Sequence, residues 1–197
     1  PVRRALALGS PSVMLDGSPL PLEESLRIPR VVVELARKYG ATPEAELGRV
    51  AGFEITGGDT GEAVLTDPQG VADFVAATGV DALAVSVGTA HGIYVSTPNL
   101  HQERLSEIRK ASDVPLVLHG GSGTPEDQVQ EAIRRGITKI NIYADVRIAL
   151  GQGFAKTAAE KQRPDPLPDQ LFAGMRSEVM STVSEKIDLC MSAGRIN

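Results

Sequence analysis

Three histidines occur in the 197 residues, and two of them share a setting. His91 follows the apolar run at 82–87 (ALAVSV) through Gly-Thr-Ala, and His119 directly follows the run at 115–118 (PLVL). A glycine comes after each. If both runs are parallel strands, both imidazoles stand at strand ends, where a barrel gathers its chemistry. Neutral imidazole is a common zinc ligand, and a catalytic zinc takes three protein ligands and keeps one position open. The plain alternative is that each histidine caps its strand through an ordinary hydrogen bond. Two of them at equivalent strand ends favour the metal. His101, in the charged stretch LHQERL, reads as a solvated surface residue.

The turn after the second of these histidines is Gly120-Gly121-Ser122-Gly123. Such turns expose several backbone N–H groups, and with a helix N-terminus they make an anion site. Barrels often bind phosphate in the loops after their last two strands. Asn141 ends the final strand beside this turn and Asp145 follows it, so Gly120, Gly121, Ser122, Asn141 and Asp145 are the expected substrate- and phosphate-binding set. Residues 42–48 (TPEAELG) carry Glu44 and Glu46, which two apart on a strand share a face. Buried carboxylates need partners. Glu46 and Asp16, the latter at its own strand end, are a candidate second metal site; the alternative for Glu44 and Glu46 is a structural hydrogen bond to Lys or Arg.

Those residues must be positioned by alternating strands and helices. Strands are expected at 11–18, 42–48, 82–87, 115–118 and 139–142, the last with Lys139 at its start. Helices are expected at 2–8, 22–39, 67–78, 100–111 and 126–135, then near 146–160 and 170–193 on either side of a Pro-rich break. Pro29 lacks an N–H and should kink or split its helix. Gly40 stands where that helix stops. Thr66 or Asp67 caps the next helix, with Pro68 at its first position. The Gly-rich stretch 49–61 lacks periodicity and reads as a mobile active-site loop. Short apolar strands between helices make a parallel sheet. Polar clusters follow all five strands, which favours a (β/α)₈ TIM barrel over an open doubly wound sheet. Five strands would be its fourth to eighth, within a single domain over 1–197 that ends in a helical extension over 163–197.

Bulk properties agree with a globular chain: 42% apolar residues, 23% charged, net charge −5. That balance argues against a nucleic-acid surface. A single cysteine, Cys190, allows no internal disulfide and suits a reducing cytoplasm. No apolar run approaches the roughly 18 residues of a membrane span, and no signal-peptide pattern is present.

The succession SVMLDGS, EAELGRV, ALAVSVGTAHGIY, VPLVLHGGSG, GITKINIYADVRIAL and SAGRIN resembles the class II fructose-bisphosphate/tagatose-bisphosphate aldolases from end to end. The resemblance implies a cytoplasmic aldehyde-lyase of carbohydrate metabolism, such as glycolysis. Such an enzyme reversibly cleaves a ketose 1,6-bisphosphate to dihydroxyacetone phosphate and an aldehyde. It implies that His91 and His119 are two of three zinc ligands. Gly92, Gly120 and Ser122 would hold the dihydroxyacetone-phosphate end and a monovalent cation, Na⁺ or K⁺. Asn141 would contact substrate, and Glu54 would exchange a proton with the enediolate carbon. Asp16 and Glu46 match acidic groups near the metal. Arg195 would reach a neighbouring subunit's distal phosphate, which makes a homodimer or homotetramer the expected assembly.

The family pattern also begins with three further strands, the third bearing an Asp-His pair that supplies the acid/base and the third zinc ligand. That pair is absent from this sequence, so those strands are expected on a longer protein or on another chain. Ala144 stands where the family usually has Thr, and Val95-Ser96 where it usually has Lys. Both changes weaken the grip on phosphate and leave fructose and tagatose bisphosphate undistinguished. Two rivals follow: a zinc-free barrel lyase or isomerase, and a non-catalytic subunit that stabilises an aldolase.

Overall fold

The computed structural model describes residues 1–18, 20–52, 63–92, 97–161, 165 and 167–195. Within them lie five parallel strands in one sheet: β1 (Ser12–Leu15), β2 (Thr42–Leu47), β4 (Ala82–Val85), β6 (Leu116–Leu118) and β7 (Ile137–Ile140). A second, two-stranded parallel sheet joins β3 (Ala51–Gly52) to β5 (Ala90–His91). The five strands cross their sheet in chain order, β1-β2-β4-β6-β7, with no reversal. A doubly wound sheet reverses at a switch point; this one does not.

The helices agree. α1 (Val2–Ala7), α2 (Leu22–Lys38), α3 (Pro68–Thr78), α4 (Gln102–Ala111) and α5 (Glu126–Arg134) pack each on the next. Consecutive helices in mutual contact lie on one side of the sheet. That side is apolar: Ala45, Leu83, Val85, Leu116, Leu118 and Ile137 are buried with Val33, Val71, Phe74, Leu105, Ile108 and Ala132 of the helices. Because side chains alternate along a strand, the residues between them face the other way. Glu44, Glu46, Ala84, Val117 and Lys139 are on that second face.

Local chemistry explains the helix ends. Asp67 caps α3, its carboxylate accepting from Gln69 N at 3.1 Å, with Pro68 first in the helix. Of the expected kink or split at Pro29, the split does not occur: α2 runs on through it. Val32, Val33 and Ala36 beyond it are buried against the sheet, and that packing outweighs one lost main-chain bond.

The last strand differs from expectation as well. It runs Ile137–Ile140, two residues earlier than 139–142. Its register slips against β6, Leu116 pairing Ile137 and Val117 pairing Lys139. The extra residue is Thr138, whose hydroxyl donates to Leu116 O at 3.1 Å. Such a bulge turns both Ile137 and Ile140 toward the helices. Lys139 therefore stands near the strand's C-terminal end on the opposite face, where the sequence had placed it at the start.

The chain divides into two compact units, Pro1–Asn141 and Ile142–Asn197. The second unit is a helical pair, α6 (Ala144–Lys161) and α7 (Pro168–Leu189). A Cβ on Gly153 would meet Gly174 O at 2.5 Å, so the two backbones touch there. No helix among the described residues is long and apolar enough to cross a membrane.

Candidate active site

The site is built on the polar face of the five-stranded sheet, at the C-terminal ends of its strands. His119 follows β6 and is 6% exposed. Its Nε2 lies 3.1 Å from Glu44 Oε1 and its Nδ1 3.0 Å from Glu46 Oε2. Both carboxylates stand on β2, with β4 between them and the histidine. Glu44 and Glu46 pair with Ala82 and Ala84 of β4. Those short side chains leave room for the carboxylates to pass over β4 to β6. Glu46 is also tied to the main chain, its Oε1 accepting from Val50 N at 3.2 Å.

Lys139 completes the group, its Nζ 2.7 Å from Glu44 Oε2. β2 and β7 are three positions apart in the sheet, which in a flat sheet is about 14 Å. Side chains standing off a flat sheet would not span that gap, so the sheet curls toward this face. Burial alone would raise the Glu44 pKa, but the His119 and Lys139 hydrogen bonds and charges hold it below the ordinary carboxylate value. Burial would lower His119, yet Glu44 and Glu46 outweigh it and push its pKa up to about 9.

His91 closes the opposite side. Its ring centroid is 6.0 Å from that of His119, at 35°. Nδ1 of His91 is buried with no hydrogen-bond partner among the described residues. It sits on β5, which pairs with β3 through Ala51–Ala90 and Gly52–His91. A Cβ on Gly52, at φ 123°, would lie 2.3 Å from His91 O, so only glycine fits. Gly120, at φ 69°, is restricted in the same way by Ala90 O, also 2.3 Å from such a Cβ. These two glycines bring the ends of β3, β5 and β6 together.

The stretch that carries Glu54 is fastened at its base. Arg49 and Val64 exchange two main-chain hydrogen bonds of 2.8 and 2.9 Å. Ser86 Oγ donates to Arg49 O at 2.9 Å, and Ser86 N donates to Thr66 Oγ1 at 2.8 Å. Thr66 Oγ1 in turn donates to Leu47 O. Arg49, Val64 and Thr66, on either side of it, are thereby held at the end of β4.

A family model described as fructose-bisphosphate aldolase class-II matches residues 1–195. The chain belongs to the class II fructose-bisphosphate aldolase family. Solved structures agree. The YdjI aldolase from Escherichia coli K12 is 32% identical with a TM-score of 0.83, over 100% of this chain and 67% of that one. A protein of Coccidioides immitis assigned as a fructose-1,6-biphosphate aldolase is 32% identical with a TM-score of 0.86, over 98% and 68%. The fructose-bisphosphate aldolase of Campylobacter jejuni shares the fold at 24% identity and a TM-score of 0.71, over 92% and 60%. The chain thus spans about two thirds of the length of these class II aldolases.

The expected site residues fall into three groups in this family member. His91, His119 and Glu46 come together. Around the glycine turn, Gly121 N donates to Asn141 O at 3.0 Å and Asn141 N to Leu118 O at 2.9 Å. The Gly121 amide, expected to face phosphate, is thus spent on holding the turn to β7. Ser122 is buried and Gly92 has open space where a Cβ would stand. Other residues are engaged elsewhere. Asp16 accepts from Ser18 N at 2.8 Å in a local turn. Asp145 forms an ion pair with Lys186 at 2.7 Å within the helical unit, and Arg195 is exposed there. Glu54 and the segment after Gly92, with Val95 and Ser96, lie outside the described residues.

The sequence did not assign a site role to Lys139, but a structural hydrogen bond from Lys or Arg was the alternative reading of Glu44, and Lys139 supplies it.

Proposed function

We propose that the protein is a zinc-dependent aldolase that reversibly cleaves a ketose 1,6-bisphosphate, of fructose or tagatose type, to dihydroxyacetone phosphate and an aldehyde phosphate. The observation that carries this reading is the facing His91–His119 pair, with a buried, unpartnered Nδ1 on His91. A buried acceptor without a donor is costly, and a cation at that nitrogen removes the cost. Family membership supports zinc, since class II aldolases generally depend on it. The donor set fits as a part: among the described residues no three of His, Cys, Asp and Glu gather as a complete metal site. The third ligand is therefore expected from the Asp-His strand of the family pattern. The unreversed strand order and the curl of the sheet support closure into a (β/α)₈ barrel with those strands.

In this reading His91 and His119 hold zinc. Bound zinc supplies Lewis acidity for a ketone oxygen and for the charge that develops as the C3–C4 bond breaks. Glu54 exchanges the proton at the enediolate carbon. The turn at 120–123 holds the phosphate of the dihydroxyacetone half at Ser122, and Asn141 orients the substrate. A monovalent cation shares that end with Gly92 and Gly120. Arg195 serves a neighbouring subunit in a dimer or tetramer, and exposed Phe154, Phe172 and Met180 on the helical pair suit such an interface. The single cysteine suits the cytoplasm.

Cleavage of fructose 1,6-bisphosphate by the full protein should vanish in EDTA and return with zinc. Activity indifferent to the chelator would contradict the proposal. One feature favours a second reading: Ala144 and Val95-Ser96 replace phosphate-gripping residues of the family. They fit an aldolase with a different aldehyde half or a non-catalytic subunit. Zinc bound without turnover of either bisphosphate points to the altered substrate, and absence of bound zinc to the subunit.

A further inference from the structure

We propose that Lys139 is a positioning residue for His119, acting through Glu44. The inference rests on the zinc reading above and adds a residue to it. Glu44 is 3% exposed, and a buried carboxylate is tolerated only with partners. It has one for each oxygen, Lys139 Nζ at 2.7 Å on Oε2 and His119 Nε2 at 3.1 Å on Oε1. Held from both sides, the carboxylate cannot turn away from the imidazole. Glu46, by contrast, is fixed by the Val50 main-chain N–H and needs no side-chain cation.

The consequence concerns which nitrogen His119 offers. A ligating histidine nearly always donates its other ring N–H to a carboxylate or carbonyl, and that contact sets the tautomer. In the metal-free protein both ring nitrogens face carboxylates, Nε2 that of Glu44 and Nδ1 that of Glu46; zinc at Nδ1 would replace the proton shared with Glu46 while Nε2–H goes on donating to the clamped Glu44. His91 presents the same atom, since its Nδ1 has no hydrogen-bond partner among the described residues. Without Lys139, Glu44 is free to rotate and no longer fixes the orientation of the imidazole. Lys139 is half exposed but Glu44 is buried, so losing the contact also costs folding stability. Its effect should appear at the metal.

The test compares zinc dissociation constants, by chelator competition, for the full protein and its K139M, K139R and E44Q variants. Cobalt(II) absorption and metal-free melting are measured alongside. K139M should weaken zinc binding roughly 10- to 100-fold and alter the cobalt band, with metal-free melting lowered but the fold kept. K139R, which keeps the cation, should recover most of the affinity. K139M binding zinc within about twofold of wild type, a change too small for an outer-shell support, overturns the role of Lys139 alone. A wild-type protein that binds no zinc overturns the zinc reading together with it. If K139M does not fold, E44Q decides: it should weaken zinc by a similar factor, and E44Q binding zinc within about twofold of wild type overturns the route through Glu44.

Discussion

His91 and His119 each stand before a glycine at the end of a parallel strand, yet their surroundings are opposite. His119 sits between two carboxylates, one on each ring nitrogen. His91 has a buried nitrogen with no hydrogen-bond partner among the described residues. The difference comes from neighbouring strands. β2 sends Glu44 and Glu46 over alanines to His119, whereas His91 rests on the two-residue strand β3 and on Gly52. One imidazole is oriented by charge and the other by backbone packing. In the proposed site both end at one cation, held there by different means.

Several substitutions can break or sharpen that contrast. His119→Ala and His91→Ala should have the largest effect. Each removes a ligand, so each should abolish zinc-dependent cleavage and lower zinc affinity by more than the roughly 100-fold typical of a supporting group. Glu46→Gln comes next, with a loss of about 10-fold or more in zinc affinity measured by chelator competition. An equal effect on a protein already lacking His119 would erase the asymmetry. Gly52→Ala should destabilise the fold by about 1–3 kcal/mol, read by denaturant unfolding, because it forces a side chain at φ 123° onto the His91 backbone. It should also impair zinc binding, which a purely local cost would not. Asp67→Ala sets the floor. It should cost about 1 kcal/mol as a lost helix cap and leave zinc affinity unchanged.

The same contrast separates what was legible in the sequence from what was not. Strand-end histidines, the Asp67 cap and the shared face of Glu44 and Glu46 follow from periodicity and turn chemistry, and the structure places them so. The partners of His119 do not follow, because they depend on which strands lie side by side and on alanines at 82 and 84. Lys139 escaped for a related reason. A bulge at Thr138 shifts the strand's register, and no local pattern announces a bulge. Pro29 reads as a helix breaker from its own chemistry, while the packing of Val32, Val33 and Ala36 that overrides it is tertiary. Glu54 rests on resemblance alone.

The most direct test of a zinc site shared by His91 and His119 is metal content. The full wild-type protein and its His91→Ala and His119→Ala variants would be purified in zinc-containing buffer, dialysed and measured by mass spectrometry for bound zinc per chain. About one zinc per wild-type chain, as a single catalytic site requires, and little in either folded variant is the predicted result. Full zinc retention in either variant would contradict the account.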